Sequence, residues 1–136
     1  PPEPLPLTEA SVQEIQLELI RRRRFNQFDG PKIVRSLRKH RKLWTAVLMD
    51  NIGFSREPDQ GLNGLSLIKL RDLDTNYWNV DTMYILCDDL ADGQRIVEIA
   101  EEEEWRSDSQ QVYFDAEVGH ALGTSDPSCI VELWWD

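Results

Sequence analysis

Asp88 and Asp89 stand between an apolar run, Thr82 to Cys87, and a helical pattern that begins near Leu90. Adjacent carboxylates at a strand-to-helix junction occupy a place where α/β folds often bind ligands, and could hold Mg²⁺ or serve as acid and base. No glycine-rich loop follows them, and no Lys or Ser stands where a phosphate would be held, so capping the next helix is the simpler role. Asp72-Leu73-Asp74-Thr75-Asn76 copies the start of a calcium loop. Tyr77 then replaces the glycine of the sharp turn and Met83 the bidentate glutamate, which removes the motif. His120 follows Asp115 and Glu117 at a spacing that fits no dedicated metal pattern. His40 falls on an apolar helical stripe and is expected to be a satisfied core residue. Neither histidine has a nucleophile motif beside it. The residues therefore imply no cofactor and no metal, and a small metal-dependent enzyme around Asp88 and Asp89 is the third-ranked reading.

Charge carries more information. The 136 residues sum to −10, but residues 1–42 hold ten basic against five acidic groups, while residues 43–136 hold five against twenty. Arg21, Arg22, Arg23 and Arg24 are consecutive, and successive helical residues sit about 100° apart, so the four cannot address one ligand together. Arg35, Arg38, Lys39 and Lys42, with Lys32, cluster on one side of a helix projected over 31–50, opposite Ile33, Val34, Leu37, His40, Trp44, Val47 and Leu48. That basic face could track a phosphate backbone, the second-ranked reading, although no stacking aromatics interleave with it. Glu101, Glu102, Glu103 and Glu104 end another projected helix, where the helix dipole disfavours negative charge. The expectation is that this acidic run meets a basic surface: Arg21 to Arg24 of the same chain or of a second copy, or a foreign partner. Tyr77 and Trp78 lie in a polar stretch and could anchor a protein partner, unless Trp78 folds back onto the core.

These residues need a scaffold, and the pattern outlines one. Pro1 to Pro6 reads as an extended arm, with neither the basic nor the apolar region of a signal peptide. Residues 1–7 form that arm and residues 8–136 a single domain. Thr8 or Ser11 can cap a first helix that runs to about Arg24, and Ser11 makes a capping box with Glu14 three residues on. Pro31 opens the second, over 31–50. A long loop spans Asn51 to Gly64, and strands are expected at Leu65–Leu70, Thr82–Cys87, Val112–Phe114 and Cys129–Trp135. A helix from Leu90 to Trp105 lies between the second and third of these. The predicted fold is α+β, two N-terminal helices on a small mixed sheet with one βαβ crossover, in the order ααββαββ.

No apolar run approaches the ~20 residues of a membrane span. Cys87 and Cys129 are expected to be buried free thiols, which indicates a reducing, cytoplasmic setting. Weak catalytic constellations beside a strong charge asymmetry favour a non-enzymatic acidic protein-binding module, such as a regulator, inhibitor, immunity-type factor or adaptor. Its partner would be another protein, basic in character, or a second copy of the chain.

Overall fold

A computed structural model describes residues 5–51, 67–124 and 128–136. Most of the arm Pro1 to Pro6 and the loop expected from Asn51 to Gly64 lie outside them.

The first helix, α1 (Val12–Arg22), starts where Ser11 Oγ accepts the Glu14 N–H at 3.1 Å. It buries Leu17 and Ile20 and ends two residues before the expected Arg24, because Arg23 turns to extended backbone. Arg24 instead begins a short hairpin of β1 (Arg24–Phe25) and β2 (Phe28–Asp29), closed by Asn26 in the left-handed region at φ 46°. Asp29 then caps α2 (Gly30–Lys39). Only glycine fits at position 30. A Cβ there would stand 2.1 Å from the Ile20 carbonyl oxygen and 2.4 Å from that of Arg23, so the two helices meet backbone to backbone.

The helix projected over 31–50 stops at Lys39. A 3₁₀ turn spans Arg41–Leu43, and β3 (Ala46–Asp50) follows. The apolar run Ala46–Met49 satisfies helical and strand periods alike over so few residues, and pairing with another strand decides the matter. Trp44 is buried as the stripe required, but on extended backbone, with its indole N–H donating to the Leu37 carbonyl at 2.8 Å. Lys42 consequently leaves the basic helical face, and His40 becomes the α2 C-cap. The strand expected at Leu65–Leu70 is also corrected. Within the described residues the chain there is helical, α3 (Ile68–Leu73).

The remaining elements are β4 (Thr82–Cys87), α4 (Leu90–Glu102), β5 (Ser109–Phe114), α5 (Ala116–Leu122) and β6 (Cys129–Trp134). The class is α+β as expected. The four-stranded sheet has the order β3-β4-β6-β5, and every pair in it is antiparallel rather than mixed. Because β4 and β5 both run against β6, they are parallel to each other. The β4–α4–β5 crossover thus joins strands that are not neighbours, and the last strand fills the gap between them.

Alternation along the strands splits the sheet into two unlike faces. Met83, Ile85, Cys87, Val131 and Leu133 are all 0% exposed and pack with apolar residues of α1, α2 and α4, among them Leu17, Leu37, Ile96 and Ile99. Their neighbours in sequence, Tyr84, Leu86, Ile130, Glu132 and Trp134, point the other way and stay partly exposed.

Candidate functional site

The four arginines part company as soon as α1 ends. Arg21 and Arg22 both hold Glu18, at 2.6 and 2.8 Å, and their hydrogen bonds bring its carboxyl down to about 2 against the opposing effect of burial. Arg23 goes inward. Its Nε donates to the Val80 carbonyl at 3.0 Å, another guanidinium nitrogen donates to the Tyr77 hydroxyl, and the plane lies 3.9 Å from the Phe25 ring centre and 4.6 Å from that of Tyr77. A cation only 6% exposed survives there because ring faces and oxygen acceptors replace its hydration. Arg24 remains at the surface, 3.9 Å from Asp29.

Arg22, Arg23 and Arg24 and the Tyr77–Trp78 pair, far apart in sequence, border one cleft of about 370 Å³, completed by Leu19, Leu73 and Asn76. Tyr77 is partly committed to Arg23. Trp78 packs against the core, with Lys69 Nζ 5.4 Å from its ring centre, and its indole N–H has no acceptor among the described residues. The cleft offers two guanidinium groups at its rim, Arg22, held by Glu18, and Arg24, loosely paired with Asp29.

The acidic run does not reach Arg21 to Arg24. Glu103 Oε2 lies 2.7 Å from His40 Nε2 and 3.6 Å from Lys39 Nζ, while Oε1 accepts the Ser36 hydroxyl at 2.7 Å. Burial would raise the Glu103 carboxyl, but the His40 and Ser36 hydrogen bonds and the Lys39 charge outweigh it and hold it below the ordinary range. Glu102 pairs with Arg95 and Glu104 with Arg106, and Glu101 is exposed. The run therefore meets the end of α2, with Lys39 as one of its partners. Elsewhere on the basic face of α2, Arg38 holds Glu14 at 2.8 Å and Lys32 Nζ donates to the Glu104 carbonyl at 2.6 Å, while Arg35, and Lys42 in the 3₁₀ turn that follows, have no such partner among the described residues.

The carboxylate pair after β4 has local duties. Asp89 caps α4 by accepting the Asp92 N–H at 2.8 Å, and Asp88 accepts the Thr45 hydroxyl at 2.9 Å. Among the described residues no three of His, Cys, Asp and Glu converge as metal ligands, and no helix is long and apolar enough to cross a membrane. Cys87 and Cys129 lie directly opposite each other on β4 and β6, buried and unbonded. Burial, foremost, pushes the Cys87 thiol up to about 12, so it is a poor nucleophile.

The partly exposed face of the sheet is a feature that charge and motif arguments miss. Glu132 stands on the inner strand β6, with Tyr84 directly across on β4 and Gln111 across on β5. The Tyr113 hydroxyl approaches its Oε2 at 3.4 Å, a long and weak hydrogen bond. Burial, followed by the Glu132 charge, pushes the Tyr84 hydroxyl up to about 12. Ile130 and Trp134 flank Glu132 two residues away on the same strand, and Leu48 of β3, opposite Tyr84, is 47% exposed. The alternation of Cys129, Val131 and Leu133 with Ile130, Glu132 and Trp134 is a visible signal that Glu132 and Val131 face opposite sides of the sheet.

No protein-family model, curated protein or solved structure matches this chain.

Proposed function

We propose that this chain is a non-enzymatic, acidic protein-binding module, of the kind that serves as a regulator, inhibitor, immunity-type factor or adaptor, and that its partner is a basic protein. The observation that carries this reading is how the cations are used. Among the described lysines and arginines, only Arg35 and Lys42 make no ion pair, side-chain hydrogen bond or ring contact within the chain. The net charge of −10 therefore reaches solvent with few free cations to offset it. Such a surface repels phosphate backbones and accelerates encounter with basic proteins. Capping by Asp89 and the Thr45 contact of Asp88 also give the most enzyme-like residues a structural purpose.

The test is a binding titration with fluorescently labelled oligo-arginine, oligo-glutamate and duplex DNA at low and high salt. Binding of the cationic peptide alone, weakened by salt, supports the reading. Salt-sensitive binding of the duplex without binding of the cationic peptide overturns it and turns attention to the α2 face.

A further inference from the structure

We propose that the basic partner docks on the partly exposed face of the four-stranded sheet, placing an arginine or lysine side chain against Glu132 between Tyr84 and Tyr113. This rests on the basic-protein reading above and gives it a location. Glu132 is half-buried on an inner strand, so water reaches it less freely than it reaches the exposed carboxylate of Glu101. No described Lys, Arg or His lies within ion-pair distance of it, in contrast to Glu14, Glu18, Glu102 and Glu103. Its described side-chain partners are the two neutral tyrosine hydroxyls, that of Tyr113 at a long 3.4 Å and that of Tyr84, and neither supplies a positive charge. A partly desolvated carboxylate in this condition gains most when a cation arrives, because the attraction is screened less than at an open surface.

The surroundings suit that cation. Tyr84 and Tyr113 frame the carboxylate and Trp134 follows it on the same side of β6. Aromatic faces attract guanidinium and ammonium groups, and a guanidinium can stack on a ring while it bonds a carboxylate through two N–H groups. Leu48, Leu86 and Ile130 extend an apolar margin around this centre, which matches the usual anatomy of an interface: an apolar and aromatic area with a charged anchor. The occupant is committed by charge complementarity. A second acidic copy of the chain would bring another Glu132 or its neighbours to the same place.

The experiment compares Glu132→Gln with Glu101→Gln, which removes the same charge from the exposed end of α4, using labelled oligo-arginine at low salt. Glu132→Gln is expected to weaken binding about tenfold or more, and Glu101→Gln by less than about twofold. Amide chemical shifts of the wild-type chain, followed by NMR with the same peptide, provide a readout that needs no variant, and should move along residues 82–87 and 129–134. Equal losses in the two variants, or shifts centred on Glu101 to Glu104, overturn the Glu132 site while the basic-partner reading stands. Failure of the wild-type chain to bind the cationic peptide overturns both.

Discussion

Gln13 of α1 closes both backbone groups of Val47. Its Nε2 donates to the Val47 carbonyl and its Oε1 accepts the Val47 N–H, each at 2.9 Å, so the side-chain amide takes the place of a neighbouring strand. Gln16 accepts the Met49 N–H at 3.2 Å one step along. The outer edge of β3 is thereby covered by a helix, which blocks pairing with another chain. Gln13→Ala leaves both Val47 groups without partners and should cost about 1–3 kcal/mol, with association that rises with concentration. Urea denaturation and sedimentation check this. A loss under about 0.5 kcal/mol, the size of an ordinary surface change, would show that water replaces the amide fully.

Gly30 is expected to tolerate no side chain. Gly30→Ala forces a methyl group into the carbonyl oxygens of Ile20 and Arg23, neither of which can rotate away as a side-chain tip could. The α1–α2 packing must open, at a cost of about 3 kcal/mol or more. Equilibrium unfolding of the variant measures it, and stability close to wild type would mean that the helices do not approach this closely.

Glu104 invites the opposite change. It follows α4 at φ 57°, where its N–H donates to the Glu101 carbonyl and the Trp105 N–H to that of Ala100, the hydrogen-bond pattern of a left-handed helix end that glycine ordinarily makes. Glu104→Gly relieves the backbone and removes a negative charge from the helix C-terminus, at the loss of an exposed pair with Arg106 at 3.8 Å. Stability should rise by ~0.5–1 kcal/mol. A fall in thermal midpoint would contradict this.

Alkaline pH should destabilise the fold. Burial, ahead of neighbouring acidic charges, raises the thiols of Cys87 and Cys129, the former to about 12, and burial with Glu132 raises Tyr84 to about 12. Unfolded thiols titrate near ~8.5 and tyrosines near ~10, so over this range the unfolded chain loses protons before the folded one. With fewer protons on the unfolded state, stability is complete below about pH 8.5 and declines as pH rises towards 12, by up to ~1.4 kcal/mol per pH unit for each such group. Urea midpoints at pH 8, 9.5 and 10.5 test the sign. Both thiols should resist alkylation in the native protein and count as two once it is unfolded.

The sequence by itself determined the local signals: a capping box at Ser11, a cap from the Asp88–Asp89 pair for the helix near Leu90, strands at Thr82–Cys87 and from Cys129 onward, two unpaired thiols, and an α+β class. These are legible because each depends on residues a few positions apart. Tertiary structure decided the rest. Ala46–Met49 could have prolonged a helix, and became β3 because β4, more than thirty residues later, supplies its ladder and Gln13 covers its edge. Glu103 found His40 and Lys39 rather than the arginine run because α4 lies across the sheet beside the end of α2. Arg23, one of four identical neighbours, was drawn inward by Val80 and Tyr77, more than fifty residues away. Alternation along β6 separates Glu132 from Val131, yet it does not say which side the helices will cover. Packing alone made one side the core and left the carboxylate, framed by two tyrosines, on the other.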